Sequence, residues 1–215
     1  MASDTPSGQA TTEPPPLGWL LISISTAGAP ASLRTQVWRR LRSLGALYLQ
    51  QSVCLLPDRP EVARAVRRLL DRVHHDGGQG RLLRIVLPQP AEQAAVTADF
   101  QAARDAEYAE LLERLPELER ELAHERARGR TTYAEVEESE ADLERFRSWL
   151  AKIAARDYFG APRGPQARAA VDRCAQALAE FEAAALDSEA PDPSPASTPH
   201  HVPPAGPVRL ATPDD

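Results

Sequence analysis

Residues 34–57 read RTQVWRRLRSLGALYLQQSVCLLP, and this stretch decides the fold. Apolar residues recur at helical spacing as far as Gly45, which is suited to the left-handed position that ends a helix. Two short β-rich stretches follow, 46–50 and 52–56, with a tight connection between them. The segment therefore predicts a helix, over 31–44, that leads directly into a β-hairpin.

One strand precedes this segment, and a helix and a further strand follow it. GWLLISIST (18–26) alternates in hydrophobicity, residues 59–75 place apolar side chains on one helical face, and RLLRIVLP (81–88) is β-rich. Asp58 is the expected capping residue of the second helix. The order β-α-β-β-α-β is the ferredoxin-like plan, in which two helices cover one face of a four-stranded antiparallel sheet.

The remainder divides into helices and two polar tails. Three helices are predicted, from about residue 92 with a kink or break at Pro116, over 133–158 and over 165–187. They form either a helical hairpin or a three-helix unit. Because this helical unit follows the ferredoxin-like domain with its antiparallel sheet, the expected fold class is α+β. Tails rich in proline and small residues cannot bury enough apolar surface to fold. The expected divisions are a disordered tail over 1–16, a ferredoxin-like domain over 17–90, a helical unit over 91–187 and a disordered Pro-rich tail over 188–215.

Several classes of protein are disfavoured by what the sequence lacks. It has no signal-peptide pattern or membrane-length apolar run, and Cys54 and Cys174 give no disulfide framework, so we expect a cytoplasmic protein without a membrane partner. No Gly-rich phosphate loop, G-x-S-x-G, H-E-x-x-H or paired C-x-x-C occurs. We therefore expect no enzyme, no catalytic residue, no cofactor and no metal site.

Charge is strongly segregated between the two halves of the chain. Residues 17–90 carry eleven arginines against four acidic residues, a net charge of +7, whereas residues 91–189 carry a net charge of −9. Clustered arginines suit contact with phosphates and with other tetrahedral oxyanions such as chromate. The alternatives are a solvated face or a surface for an acidic protein partner. The candidate nucleic-acid-binding residues lie on the two predicted helices and are Arg34, Arg39, Arg40, Arg42, Arg64, Arg67, Arg68 and Arg72.

The face of the sheet away from these helices is also predicted to be apolar. An exposed patch of that size needs a partner, which is either the C-terminal helices or a second subunit in a homodimer. Stacking of RNA bases there is disfavoured because the associated glycine and aromatic pattern is absent. The residues assigned to this face are Trp19, Leu21, Tyr48, Cys54, Leu82 and Val86.

A polar cluster is expected to clamp two of the C-terminal helices. At helical spacing Arg104 and Tyr108 share a face, and residues 156–157 bring a second basic and acidic pair. A structural role is favoured over a functional one. The members of this candidate cluster are Arg104, Asp105, Tyr108, Arg156 and Asp157.

Three separated strings carry a resemblance to a known family. VWRRLRSLGALYLQQSVCLLPDRPE (37–61), FQAARDAEYAELLERL (100–115) and IAARDYFGAP (153–162) are similar to the N-terminal domain of the chromate-resistance protein ChrB. The resemblance implies a regulator or accessory protein of chromate resistance that binds DNA at a chromate-efflux operon. Full-length members continue into a second domain, whereas this chain ends in the Pro-rich tail, so chromate sensing is not implied.

A second, weaker resemblance points to an enzyme. The hairpin after a basic helix is similar to that of small CRISPR-associated ferredoxin-like nucleases, which hold a metal with an aspartate at the end of the first strand. Residues 23–26 read SIST and contain no carboxylate. The sequence therefore favours a DNA-binding regulator over a protein-interaction module, and either of these over a ferredoxin-like enzyme acting on phosphate esters or oxyanions.

Overall fold

The computed structural model describes residues 18–128 and 133–189. The predicted tail over 1–16 and the C-terminal tail from residue 190 onward lie outside the described residues. Within them the elements are β1 (Gly18–Ser25), α1 (Ala31–Ser43), β2 (Leu47–Gln50), β3 (Val53–Pro57), α2 (Pro60–His75), β4 (Gln79–Val86), α3 (Pro90–Arg128), α4 (Tyr133–Ala154) and α5 (Gly164–Glu189).

The four strands form one antiparallel sheet in the order β2-β3-β1-β4. Strand β1 is central, because it pairs with β3 on one side and with β4 on the other. The β2–β3 hairpin contains a register shift between Tyr48 and Gln50. The protein is thus a mixed α/β structure with a four-stranded antiparallel sheet and five helices among the described residues.

Helices α1 and α2 pack side by side on one face of this sheet. Alternate residues of β1, including Leu20 and Ile22, meet Leu33 and Leu41 of α1 and Val66 of α2 in a fully buried core. The burial follows from the helical spacing of the apolar positions. It leaves the opposite sides of both helices, where the arginines are, to solvent.

Two predictions about the ends of these helices have different outcomes. Gly45 follows α1 with φ of +73° and its amide donates to the carbonyl of Arg42, as predicted. The prediction for Asp58 is wrong, because α2 begins at Pro60 with no side-chain cap at Arg59. Asp58 instead pairs with Arg84 of β4 at 2.8 Å, since a neighbouring strand presents a guanidinium to it.

The opposite face of the sheet is covered by the beginning of α3 and by the segment after α4. Trp19 is fully buried there, with its ring 5.6 Å from the rings of both Phe100 and Phe159. Val96 and Leu55 belong to the same cluster. The sequence predicted that this apolar face packs against the C-terminal helices or a second subunit, and the helical unit covers at least part of it.

Four of the six residues assigned to that face from sequence lie on the other one. The strand register aligns Ile22 with both Cys54 and Leu82, and paired residues project to the same side. The residues that belong on the α1–α2 side are Tyr48, Cys54, Leu82 and Val86. Only the assignment of Trp19 and Leu21 was correct, because register between strands distant in sequence is not a local property.

Helices α3, α4 and α5 pack on one another around a second core. Tyr108, Leu111 and Phe181 are among its fully buried members. The sequence predicted a kink or a break at Pro116. Helix α3 runs unbroken through this residue, so the break is wrong. Pro116 is exposed while Leu115 and Leu118 beside it are buried, and this packing holds the helix together around the missing amide donor.

Candidate nucleic-acid interface

The eight arginines predicted to contact nucleic acid all lie exposed on α1 and α2, and we call them the arginine surface. Helix α1 contributes four of them and contains no acidic residue, and α2 contributes the other four with two acidic residues. Both helices pack on the same face of the sheet, so the two rows of arginines share one side of the protein. The members are Arg34, Arg39, Arg40, Arg42, Arg64, Arg67, Arg68 and Arg72.

Most of these guanidinium groups are not neutralised by a neighbouring carboxylate. Arg72 pairs with Asp76 at 3.0 Å, in an i, i+4 contact at the end of α2. The other seven form no ion pair with any residue in 18–128 or 133–189. An exposed, unpaired row of arginines is available for phosphate contact without first breaking an internal pair.

An aromatic ring interrupts the arginines of α1. Trp38 is 47% exposed, and the guanidinium of Arg42 lies 5.1 Å from the centre of its ring. A cation over an indole ring is a favourable contact that restricts the arginine side chain. The exposed face of α1 therefore combines an ordered aromatic with positive charge.

A recess at the start of α2 brings one further arginine, from β4, beside two members of the arginine surface. It has a volume of about 480 Å³ and is lined by Arg64, Arg67 and Arg84 together with Asp58. Arg84 is paired with that carboxylate, whereas the two arginines of α2 are not. The recess extends the basic surface from α2 onto the edge strand β4.

The predicted polar cluster lies where α3 meets the segment after α4. Arg104 is only 7% exposed and its Nη2 lies 3.0 Å from Glu107, while Nη2 of Arg156 lies 2.5 Å from the second oxygen of the same carboxylate. Burial lowers the pKa of Arg104, and the charge of Glu107 opposes that shift. One carboxylate thus joins two largely buried arginines that are 52 positions apart in sequence.

The other members of the cluster make separate contacts. Tyr108 donates its hydroxyl to Asp157 over 3.3 Å, and Asp157 also accepts the amide of Ala161. Burial, followed by the nearby charge of Asp157, raises the pKa of Tyr108. Asp105 accepts the amide of Arg163 at 2.8 Å. The cluster therefore holds the α4–α5 connection onto α3.

Glu107 was not among the residues predicted for this cluster. Its side chain is 21% exposed, and its carboxylate contacts both largely buried arginines. Its position three residues after Arg104 was the available signal. The contact with Arg156 has no such local signal.

Contacts from the α4–α5 connection also reach the ends of α1 and α2. The hydroxyl of Tyr158 donates to the carbonyl of Leu44 at 2.7 Å, and Arg59 donates to the carbonyl of Tyr158 at 2.7 Å. The guanidinium of Arg59 also lies 4.9 Å from the centre of the Tyr158 ring. Burial raises the pKa of Tyr158. The same connection thus fixes both arginine-bearing helices to the helical unit.

Neither a metal-binding cluster nor a membrane-spanning helix occurs among the described residues. Over 18–128 and 133–189, no group of three or more His, Cys, Asp or Glu side chains is placed to hold a metal ion. Within the same ranges, no helix is long and apolar enough to cross a membrane. Cys54 and Cys174 are free and buried in different cores.

The fold and the arginine surface together define a class of protein. It is an α/β domain in which the helices on one face of the sheet carry the arginine surface and a helical unit packs against the other face. The model of a family described as "Protein ChrB, N-terminal" matches residues 34–190, and the chain belongs to this family. The resemblance inferred from the sequence is confirmed.

One curated relative shows how far the likeness extends. Protein ChrB of Cupriavidus metallidurans is 28% identical to the chain over 96 residues, which are 45% of this chain and 29% of the relative. The match therefore spans less than a third of that relative's length.

Proposed function

We propose that this protein is a non-enzymatic regulator associated with chromate resistance and that it binds duplex DNA through its arginine surface. The observation that carries the proposal is the row of seven exposed arginines without a carboxylate partner in the described chain. Each guanidinium that meets a phosphate releases condensed counterions, which favours binding. The association with chromate rests on membership of the ChrB family.

The architecture supports a surface rather than a pocket for this contact. The sheet order β2-β3-β1-β4 with α1 and α2 on one face supports placing residues 17–90 among ferredoxin-like domains. Helices of 13 and 16 residues are about 20–24 Å long at 1.5 Å per residue. DNA carries one negative charge per about 1.7 Å of its axis, so a duplex lying along the helices meets several phosphates at once.

The test is a titration of duplex DNA at several salt concentrations, comparing the wild type with the double variant Arg39→Gln and Arg42→Gln. Both substitutions remove exposed charge, so the double variant is expected to keep the fold. The double variant should bind more weakly, and the slope of log K against log salt should become less steep by about two units.

The matched control removes the same charge from the helical unit. Arg147 and Arg168 are exposed on α4 and α5, so Arg147→Gln with Arg168→Gln changes the net charge equally without touching the arginine surface. Equal weakening by the two double variants, or no salt-dependent binding by the wild type, would refute the DNA contact. Displacement of DNA by polyglutamate at equal charge concentration would favour the alternative, an acidic protein partner.

A further inference from the structure

A cavity of about 630 Å³ lies beside the arginine surface, between α1, the turn after β1 and the β2–β3 hairpin. This volume falls within the range of roughly 300–1,000 Å³ that is typical of small-molecule sites. The polar cluster does not use the cavity, and Arg34 is the one member of the arginine surface that lines it.

The floor of the cavity is apolar and tightly packed. It is formed by Ile22 of β1, Val37 and Leu41 of α1, and Cys54 of β3, each at most 7% exposed. Burial raises the pKa of the Cys54 thiol to about 12, so the thiol is neutral and acts as an apolar surface. An apolar ligand body would replace water over this floor.

Two aromatic side chains stand where the cavity opens to solvent. Trp38 on α1 is 47% exposed and Tyr48 on β2 is 38% exposed, and both line the cavity. An exposed apolar patch rimmed by polar residues is a feature of ligand-binding grooves. Rings on two facing elements suit a flat ligand that stacks against one or both of them.

The electrostatics of the opening select the charge of the ligand. Arg34 lines the cavity and has no ion-pair partner in the described chain, and no acidic side chain belongs to the lining. Thr26, Gln51 and Ser52 supply neutral polar groups at the same rim. A planar guanidinium binds a carboxylate through two parallel hydrogen bonds.

We propose that this cavity binds a small planar aromatic carboxylate, with the ring over the apolar floor between Trp38 and Tyr48 and the carboxylate on Arg34. The site shares Arg34 with the arginine surface, but it needs neither a duplex nor the outward arginines Arg39 and Arg68, so its ligand can be tested without DNA.

The test uses isothermal titration calorimetry of the full chain with 1-naphthoate, without DNA. We expect saturable 1:1 binding, with at least tenfold weaker binding of cyclohexanecarboxylate, which cannot stack. Arg34→Gln should weaken naphthoate binding at least tenfold and leave the affinity for uncharged 1-naphthamide unchanged. Arg68→Gln, which removes an equal charge from α2, should leave naphthoate binding as in the wild type.

Circular dichroism verifies that each variant is folded before its titration is interpreted. The proposal is overturned if naphthoate does not saturate the wild type, or if Arg34→Gln and Arg68→Gln weaken its binding equally. Preferential binding of thymidine monophosphate over naphthoate would likewise overturn it, because the cavity would then receive a nucleotide. DNA binding is measured separately, so failure of either proposal leaves the other to its own test.

Discussion

Gly45 follows the arginine-bearing helix α1 and lies close to side chains of the helical unit. Substituting it with alanine therefore probes the contact between α1 and the helical unit. Its φ of +73° is in the left-handed region, and a Cβ added there would lie 2.7 Å from Nη1 of Arg104 and 2.9 Å from Cβ of Arg156. Gly77 holds the equivalent position after α2 with φ of +83°, but a Cβ there would meet nothing within 4 Å. The two glycines therefore share the backbone strain and differ in the steric contact.

The expected magnitudes follow from these two contributions. Placing alanine in the left-handed region costs about 1–2 kcal/mol, and this applies to both positions. Overpacking against a buried side chain costs a further 1–3 kcal/mol or so, and only Gly45→Ala incurs it. For a chain of 150–250 residues, that difference lowers the melting temperature by roughly 2–12 °C more than Gly77→Ala does.

Thermal unfolding followed by circular dichroism measures both variants under one set of conditions. A third variant, Gly45→Ala with Arg104→Ala, removes the side chain that the new methyl group meets. Its cost in unfolding free energy should be smaller than the sum of the two single costs, because residues in contact are not additive. Equal melting temperatures for Gly45→Ala and Gly77→Ala would refute the close contact between α1 and the helical unit.

Three further predictions concern named side chains. Glu107→Gln leaves two largely buried guanidinium groups without their carboxylate, so it should lower the free energy of unfolding, measured by chemical denaturation, by about 2–4 kcal/mol. Glu110→Gln, in an exposed pair on the same helix, should lower it by under about 1 kcal/mol. Equal losses would contradict the buried contacts of Glu107. Trp38→Ala should cost about 1–2 kcal/mol in the same assay rather than the larger loss of a buried ring, since the side chain is 47% exposed. The pKa of Cys54 is raised from 9.0 to about 12, so the stability gained by burying the neutral thiol is complete below pH 9 and is lost as the pH rises toward 12. Cys54→Ala should accordingly show a shallower alkaline loss of melting temperature than the wild type, and identical pH profiles would contradict the shift.

The parts of the fold that depend on local pattern could be predicted from the sequence. Helix α1, its glycine terminator and the following hairpin all derive from spacing within about 25 residues, and the structure places them within one or two residues of expectation. The exposure of the arginines followed from the same pattern, because the apolar positions fix which side of each helix is buried. These predictions required no knowledge of the tertiary contacts between elements.

The parts that failed depend on contacts between distant segments. Which face Cys54 occupies is set by its pairing with Ile22, and the partnership of Glu107 with Arg156 joins positions 49 apart. The cavity beside Trp38 likewise arises from four separate elements, β1, α1, β2 and β3. Hydrophobic periodicity and residue spacing describe one helix or strand at a time. They therefore do not determine the register between strands, the pairing of distant side chains or the position of cavities.

The distribution of charge explains how a protein of net charge −6 can present a surface to a polyanion. Eight of the eleven arginines of the first half lie on α1 and α2, whereas α3, which begins the acidic half, packs against the opposite face of the sheet through Phe100. The sheet lies between the two helical layers, so charges on their outer sides are separated by more than the screening length of about 8 Å at physiological ionic strength. Repulsion from acidic groups beyond the sheet is then largely screened at the arginine surface, whereas a phosphate bound there would contact the guanidinium groups directly. Net charge is therefore a poor guide to what this protein binds, and the side of the sheet on which each charge lies is the better one.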